Sequence, residues 1–338
     1  MEQQLKELWQ YAETVAQEEL KDQTPTTFAP IDAEQVKQTI KKIDEALADK
    51  PVSKKVKDKI KYAKKNWPDK INQYAEQEKI LGERNSYSKT DHDATFMRMK
   101  EDHMKNGQLK PAYNLQISSH DQFIVNYSIH QNSTDTNTLA SHLQCHKELY
   151  KQPPQEIVAD AGYGSEENYQ ILEKENIEAY VKYNTFDREQ RKKDEPFKSE
   201  NFYYNKDQDC FYCPMGQPMK KVGSEKKKTS TGFIQQIGLY QALRCQGCPL
   251  RSQCHDSEGN RTIKVNHNLR AYKEKVRLQL LSEKGIAHRK KRCWDVEPVF
   301  ANIKHNKNFK RFMLRGKKKV EIETGLLALA HNLAKLAA

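Results

Sequence analysis

The stretch that decides the fold is residues 157–164, which read IVADAGYG. Its apolar residues predict a buried strand that ends in Asp160, and the glycines that follow allow a backbone or ligand to come close. In open α/β sheets, ligands bind beyond the carboxyl ends of the strands. A carboxylate placed there suits Mg²⁺, which prefers oxygen ligands. Taken alone, an aspartate before a glycine is also an ordinary turn residue, so both interpretations stand at this point.

The residues on either side of this stretch alternate between strand and helix patterns. β-Branched and aromatic residues predict strands, and apolar residues at helical spacing predict helices. In chain order these elements are strands at Ala112–Ser118 and Gln122–Ile129, a helix at Leu139–Tyr150, a strand at Glu156–Ala159, a helix at Glu166–Lys174 and a strand at Ala179–Tyr183. The order predicts an α/β fold with a central mixed sheet flanked by helices.

Both ends of the chain have helical patterns. Residues 1–85 predict three helices, with Pro51 before the third and Pro68 interrupting it. The lysine-rich segment Ser53–Lys65 is either a solvated helix face or a direct DNA contact. The last helix, Val320–Leu336, is apolar on most sides, so we expect it to pack into the core. The expected segments are 1–85 (helical), 86–200 (first part of the core, with 184–200 as a linker), 201–258 (cysteine-rich) and 259–338 (C-terminal helices).

The composition favours a polyanionic partner. The 338 residues carry a formal net charge of +12, and only 36% of them are hydrophobic. Such an excess of Lys and Arg points first to nucleic acid, although a soluble basic protein without such a partner would have the same composition. The sequence shows neither a membrane-spanning run nor a signal peptide, so we expect no membrane contact and a cytoplasmic location.

A second stretch, residues 291–304, reads KRCWDVEPVFANIK. Asp295 can cap a helix whose first turn tolerates Pro298. In that helix Glu297 and Lys304 lie on one face, about 10 Å apart by helix rise. The carboxylate could hold a metal while the ammonium meets a phosphate. The alternative is an exposed, charged helix face.

Five of the seven cysteines fall between residues 210 and 254. Cys210 and Cys213 form one CxxC pair, Cys245 and Cys248 form another, and Cys254 follows. Four thiolates from two such pairs can bind one tetrahedral Zn²⁺. Reduced thiols in a small β-rich insert are the alternative.

Several stretches together resemble the DDE transposases of bacterial insertion sequences. They are VADAGYGSEENY (158–169), KRCWDVEPVFANIKHNKNFKRFMLRG (291–316) and GLLALAHNLAKLAA (325–338), supported by SKTDHDATFMRMK (88–100) and AYNLQIS (112–118). The resemblance covers roughly residues 86 to 338. The motifs occur in the order and at the spacing that the family shows.

The resemblance implies an RNase H-like fold that binds double-stranded DNA and uses two Mg²⁺ (or Mn²⁺) ions to cut and join phosphodiesters. It also implies a homodimer on paired DNA ends and a nucleoid-associated location. The cysteine segment is similar to the zinc-ribbon-like module of such transposases, in which Cys210 would be the spare thiol. The implied residues are Asp160 and Glu297 as second and third catalytic, metal-binding carboxylates, Arg292, Lys304, Arg311 and Arg315 for DNA, and Cys213, Cys245, Cys248 and Cys254 for zinc.

One departure from the family pattern concerns the first catalytic aspartate, which lies on the first strand, ahead of a helical segment. Here the helical segment begins at Met1, and Asp91, Asp93 and Asp121 are poor substitutes by position. We therefore expect an N-terminally truncated, catalytically incomplete transposase. The alternatives are a non-catalytic DNA-binding remnant and, less in keeping with the motifs, a nuclease of the same fold.

Overall fold

The computed structural model describes residues 1–18, 20, 32–99, 106–191 and 195–337. Parts of the expected helical segment 1–85 and linker 184–200, and the last residue of the stretch 88–100, lie outside these residues. The chain divides into two compact units, Met1–His92 and Asp93–Ala338.

The N-terminal unit consists of helices α1 (Glu2–Val15), α2 (Ala33–Ala46) and α3 (Lys54–Leu81). The side chain of Asp32 caps α2 by accepting a hydrogen bond of 2.6 Å from the backbone N–H of Gln35. The apolar positions at helical spacing form one core, which is centred on the fully buried Trp9. The helices predicted for this segment are therefore present.

The prediction that Pro68 interrupts the third helix is wrong, because α3 continues through it for 28 residues. A proline inside a helix removes one backbone hydrogen bond and typically costs about 3 kcal/mol. Here Pro68 and its neighbour Trp67 are buried in the core of the unit. Their burial offsets the lost hydrogen bond, and sequence spacing alone does not reveal that compensation.

The second unit begins with two antiparallel strand pairs. Strands β1 (Thr95–Arg98) and β2 (Leu109–Ala112) form one pair, and β3 (Asn114–His120) and β4 (Phe123–His130) form the other. Helix α4 (Leu139–Tyr150), strand β5 (Glu156–Ala159), helix α5 (Glu166–Lys174) and strand β6 (Glu178–Val181) follow. Strands β5 and β6 pair in parallel, as a strand–helix–strand crossover requires.

The α/β character of this unit is confirmed, but its strands do not form one continuous sheet. Among the residues that the structure describes, the β3–β4 and β5–β6 pairs are separate two-stranded sheets. Side chains link them instead, since the hydroxyl of Tyr163, beyond β5, donates to the side-chain oxygen of Gln116 on β3. A side-chain hydrogen bond therefore joins the two strand pairs, where the predicted mixed sheet would have had backbone hydrogen bonds.

The stretch predicted as a linker contains a short helix, α6 (Phe186–Gln190). Phe186 is fully buried and stacks edge-on against Tyr183. The hydroxyl of Thr185 donates to Glu189 over 2.5 Å, which closes the turn. One buried aromatic residue thus anchors this short helix within a stretch whose high charge had suggested a solvated linker.

The cysteine-rich segment folds into a five-stranded antiparallel sheet with the order β11-β10-β9-β8-β7. It includes a strand beyond the expected end of the segment at residue 258. Its interior is aromatic, with Phe211 and Tyr240 fully buried and stacked edge-on. The elements are β7 (Tyr203–Asn205), β8 (Cys210–Tyr212), β9 (Pro218–Lys228), β10 (Ile234–Ala242), α7 (Arg251–Cys254) and β11 (Thr262–Val265).

The chain ends in helices α8 (His267–Leu281), α9 (Glu283–Asp295), α10 (Glu297–Ala301) and α11 (Lys317–Leu336). Helix α11 packs on β4, where the side chain of Asn332 hydrogen-bonds both the N–H and the C=O of Ile124. As expected, α11 packs into the core, but through one side only, where Val320, Thr324, Ala328 and His331 are buried. Its exposed residues are Ile322, Leu326, Leu329, Leu333 and Leu336.

None of the helices within the described residues combines the length and the apolar character that crossing a membrane would require.

Candidate active site

Asp160 lies directly after β5, at the start of a 3₁₀ turn formed by Ala161–Tyr163. Its carboxylate accepts a hydrogen bond of 2.9 Å from the N–H of Ala161. At Gly164 an added Cβ would lie 2.3 Å from the carbonyl oxygen of Lys182, so only glycine fits. Because the backbone is fixed on both sides of the turn, the Asp160 carboxylate is presented at the carboxyl end of the strand.

Glu297 begins the short helix α10, immediately after α9 ends at Asp295. Asp295 was expected to cap a helix, but its carboxylate accepts from the backbone N–H of Gln122, in the β3–β4 turn. The hydroxyl of Ser119 donates to the carbonyl of Asp295 over 3.0 Å. These bonds fix the α9–α10 junction against the sheet and place Glu297.

Asp160 and Glu297 meet at the guanidinium of Arg292, and we call these three residues the carboxylate corner. Arg292 lies 3.3 Å from a carboxylate oxygen of Asp160 and 3.9 Å from one of Glu297. The Arg292 side chain is 22% exposed, whereas the carboxylates are 59% and 61% exposed. Two solvent-facing carboxylates that already share one cation have oxygen donors suited to a divalent ion.

Asp135, which the sequence analysis did not single out, lies beside this corner. Its Oδ1 accepts hydrogen bonds from the side-chain amides of Asn114, over 2.9 Å, and Gln116, over 3.0 Å. An added Cβ at Gly162 would be 3.4 Å from its Oδ2. The sequence alone gave no signal for this carboxylate, because its partners Asn114 and Gln116 are brought to it by the fold.

The pKa of the Tyr163 hydroxyl is affected by the negative charge around the turn. Burial raises the pKa of its hydroxyl, and the carboxylates of Asp135 and Asp160 raise it further, while Arg292 opposes them. Tyr163 therefore stays protonated and keeps donating to Gln116. The two carboxylates and the guanidinium act electrostatically on one phenol.

A chain of hydrogen bonds joins two histidines behind the corner. The side chain of His142 contacts Ser118 over 2.7 Å and Ser128 over 2.6 Å, and Ser128 contacts His130 over 2.6 Å. Burial, together with the neighbouring His130 and His146, lowers the pKa of His142 to about 4. Burial and then Lys317 lower the pKa of His130 to about 4, against the pull of Asp135. Both rings are neutral at pH 7.

The other aspartates considered for the first catalytic position have partners elsewhere. Asp121 pairs with Lys291 over 2.7 Å, and that contact lowers its pKa. Asp93 accepts from the N–H of Lys317 over 2.8 Å, in the first turn of α11. Asp91 belongs to the N-terminal unit. Within the described part of the chain, no group of three acidic, histidine or cysteine side chains could hold a metal as it stands.

The remaining predicted DNA-binding residues lie beyond α10. The sequence predicted one regular helix from Glu297 to Lys304, but Asn302–Asn306 form a wider π-helical turn. Lys304 lies within this turn and is exposed. Arg311 and Arg315 are exposed in the irregular segment before α11. Among the described residues, the ion pairs of Asp160 and Glu297 are with Arg292 and not with these three side chains.

The four cysteines assigned to zinc line one cavity, which we call the cysteine cavity. It encloses about 20 Å³, enough for one small ion or water. Cys210 lies elsewhere, buried in the sheet. A zinc site would need all four sulfurs to close to about 2.3 Å from the ion. The cavity lining includes Cys213, Cys245, Cys248, Cys254 and His255.

Arg261 supports this cavity and was missed in the sequence. Its guanidinium donates to the sulfur of Cys254 over 2.8 Å, and its backbone N–H donates to the sulfur of Cys245 over 3.3 Å. The same guanidinium lies over the ring of Phe202, 4.8 Å from the centroid. Cysteine sulfurs are donors of the type that zinc prefers. Among the described residues, however, no group of three such side chains could hold a metal as it stands.

Comparison with known proteins bears on this geometry. Residues 212–337 match the family model described as a transposase DDE domain. Over these residues the chain is similar to the DDE domain of transposases. No curated protein and no solved structure matches the chain.

The transposase match extends over a little more than a third of the chain. It includes Glu297, Arg292 and all four cavity cysteines, whereas Asp160 and Asp135 lie before its first residue. The assignment of Asp160 therefore rests on its local sequence and on its meeting with Glu297 at Arg292.

Proposed function

We propose that this protein is a Mg²⁺-dependent DDE transposase, which cuts and joins phosphodiesters at insertion-sequence ends, and that the carboxylate corner is part of its catalytic site. The observation that carries the proposal is the meeting of Asp160 and Glu297 at Arg292. These carboxylates are separated by more than a hundred residues in the sequence. The proposed fold is RNase H-like, with two strand pairs and the helices α4, α5 and α8–α11 around the site.

Each residue of the corner has a definite task in this proposal. Asp160 and Glu297 would hold the divalent ion, which when bound supplies Lewis-acid activation of a water or 3′-hydroxyl and stabilises the leaving oxygen. Arg292 offers a planar fork of N–H donors that suits a phosphate, and Lys304 offers a single mobile charge. The exposure of both carboxylates leaves room for DNA to reach them.

A metal-binding titration tests the proposal. Replacing both carboxylates (Asp160→Asn with Glu297→Gln) should weaken Mn²⁺ binding, followed by electron paramagnetic resonance, by about 100-fold or more, because the direct oxygen ligands are removed. The matched control, Asp207→Asn with Glu258→Gln, removes the same charge from exposed positions of the cysteine-rich sheet. Equal Mn²⁺ affinities in the two variants would sink the proposal.

We further propose that the chain by itself is catalytically incomplete. No third carboxylate completes a metal-binding group with Asp160 and Glu297 in the described ranges. The purified chain should therefore bind double-stranded DNA but should not join DNA ends, as in the alternative of a non-catalytic DNA-binding protein. Mg²⁺-dependent strand transfer by the isolated chain would refute this part of the proposal.

We also propose that the cysteine cavity holds one structural Zn²⁺ through Cys213, Cys245, Cys248 and Cys254. The support is their common cavity and the two N–H donors of Arg261 that face sulfur. About one equivalent of zinc should co-purify with the reduced protein. Metal analysis that finds none would remove this assignment.

Finally, we propose a homodimer that forms through helix α11. Its exposed apolar residues recur at intervals of four, three, four and three, which is the spacing of a helix–helix seam. The pair of changes Leu329→Glu and Leu333→Glu should convert a dimer to a monomer in sedimentation velocity. A wild-type monomer at high concentration would contradict the assignment.

A further inference from the structure

The longest strands of the molecule form a hairpin that extends beyond the rest of its sheet. Strands β9 and β10 pair from Met219 opposite Ala242 to Lys228 opposite Ile234. Strand β8 covers only the first residues of β9, and β11 pairs with β10 only from Gly238 onward. The part from Glu225 to Ile237 is therefore a two-stranded ribbon.

The end of this ribbon carries three consecutive lysines, Lys226, Lys227 and Lys228, all exposed. Other lysines of the same sheet have acidic partners, such as Lys264 with Glu225 at 2.8 Å and Lys221 with Asp209 at 3.1 Å. Within the described residues, these three form no ion pair. Three unneutralised cations at the end of a narrow ribbon form a concentrated positive surface.

The tip of the hairpin is anchored beside the carboxylate corner. The hydroxyl of Thr231 donates to a carboxylate oxygen of Glu167 on α5, over 2.6 Å. The amide of Asn137 donates to the hydroxyl of Ser230 over 3.1 Å. Asn137 ends the turn that begins at Asp135, and the middle residue of that turn, Thr136, donates to the carbonyl of Gly162 over 2.8 Å. Two short steps thus connect the tip to the turn that presents Asp160.

We propose that the end of this hairpin, which we call the lysine ribbon (Lys226–Lys228), binds the phosphates of the double-stranded DNA that reaches the carboxylate corner. The inference rests on the proposed function and names where the DNA is held. The major groove of B-DNA admits a two-stranded β-ribbon. Alternate residues of a strand point to opposite faces, so Lys226 and Lys228 lie on one face of the ribbon and Lys227 on the other.

This assignment differs from the general basic charge of the chain, because the lysine ribbon has a fixed position. Its tip is tied by two side-chain hydrogen bonds to the elements that carry Asp135 and Asp160. A ribbon held there can set the register of the duplex relative to the site, which is the usual task of phosphate contacts.

The test measures how salt weakens binding of a 30-base-pair duplex by fluorescence anisotropy, using the full chain. The triple change Lys226→Gln, Lys227→Gln and Lys228→Gln should lower the slope of log K against log salt by about 2 to 3, since each phosphate contact contributes about 0.9. Binding at moderate salt should fall by about tenfold or more. Changing the same three lysines to Arg should retain wild-type binding.

The matched control removes Lys37, Lys41 and Lys42, exposed residues of α2 in the N-terminal unit, by the same change to Gln. Its slope should change by less than about 1. Equal effects of the two triple variants would overturn the lysine ribbon, because net charge alone would then explain binding. If the wild-type chain binds duplex normally and the ribbon variant matches it, only this inference fails. If the wild type shows no salt-dependent duplex binding, the proposed function fails with it.

Discussion

At the carboxylate corner, two acidic side chains from distant parts of the sequence meet at an arginine, whereas at the cysteine cavity most donors come from one short segment of a sheet. The corner is held by the α9–α10 junction and by the turn after β5, and both are anchored by hydrogen bonds to other elements. The cavity is lined by Cys245, Cys248 and Cys254, which are close in sequence, with Cys213 added from the turn after β8. In the first region the guanidinium of Arg292 joins the two carboxylates, whereas in the second the sulfurs of Cys245 and Cys254 accept hydrogen bonds from Arg261.

This difference predicts that folding depends on a bound metal at the cysteine cavity but not at the carboxylate corner. An oxygen site on a folded scaffold needs its metal for chemistry, whereas a thiolate site in a polar segment draws folding energy from its metal.

The largest effect should follow from removing zinc. A strong zinc chelator should destabilise the five-stranded sheet by about 5 kcal/mol or more, less than the roughly 10–16 kcal/mol of zinc-finger peptides, because Phe211 and Tyr240 already form a core. Hydrogen exchange should show loss of protection in β7–β11 and little change in β3–β6. A weak chelator that removes only Mg²⁺ should change neither. Equal loss of hydrogen-exchange protection in both regions after zinc removal would contradict the predicted difference between them.

Acid should act on the carboxylate region through His142. Its pKa is lowered to about 4 in the folded chain, from about 6.5 when unfolded, so the unfolded state binds more protons between these values. Stability is therefore retained above about pH 6.5 and lost as the pH falls towards 4, with a loss of about 2 kcal/mol by pH 5 from this residue. Hydrogen exchange in α4 should show the loss in the wild type.

The variant His142→Gln should show less acid sensitivity in α4, and the exposed control His305→Gln should behave like the wild type. An acid response in α4 that His142→Gln leaves unchanged would assign the effect to another group. The half-buried His130, whose pKa is also lowered to about 4, is the first candidate for any remaining response.

The sequence predicted the local parts of both regions better than their supports. The strand before Asp160 and the helices on either side of it were predicted correctly because period and turn residues are local signals. The roles of Asp135 and Arg261 were not predictable, since each depends on partners that the fold brings together, such as Gly162 for Asp135. The π-helical turn at Lys304 and the continuous helix through Pro68 depend on packing, which overrides local preference.

Removing one arginine from each region should have opposite effects on metal affinity. Arg261→Gln removes a donor to the sulfur of Cys254, so zinc affinity should fall by about tenfold. Arg292→Gln removes a cation shared by two carboxylates, so Mn²⁺ affinity should rise by about tenfold while duplex binding weakens. Competition titrations with each metal measure both changes. If the two metal affinities changed in the same direction, both arginines would have the same role, and the predicted difference between the two regions would be wrong.

The smallest effect on metal binding should come from Asp135. Two substitutions there distinguish the loss of its negative charge from the loss of its hydrogen-bond acceptor. Asp135→Asn keeps an oxygen that can accept from Asn114 and Gln116 but removes the negative charge beside Gly162. Mn²⁺ binding at the corner should weaken by about two- to threefold with little change in stability, since this charge acts from outside the set of ligands. Asp135→Ala should add a loss of about 2 kcal/mol in the free energy of unfolding, because it removes the acceptor that two partly buried amides share. If Asp135→Asn instead abolished Mn²⁺ binding as completely as the loss of Asp160 and Glu297, Asp135 would be a direct ligand, and the corner would contain the third carboxylate of a DDE site.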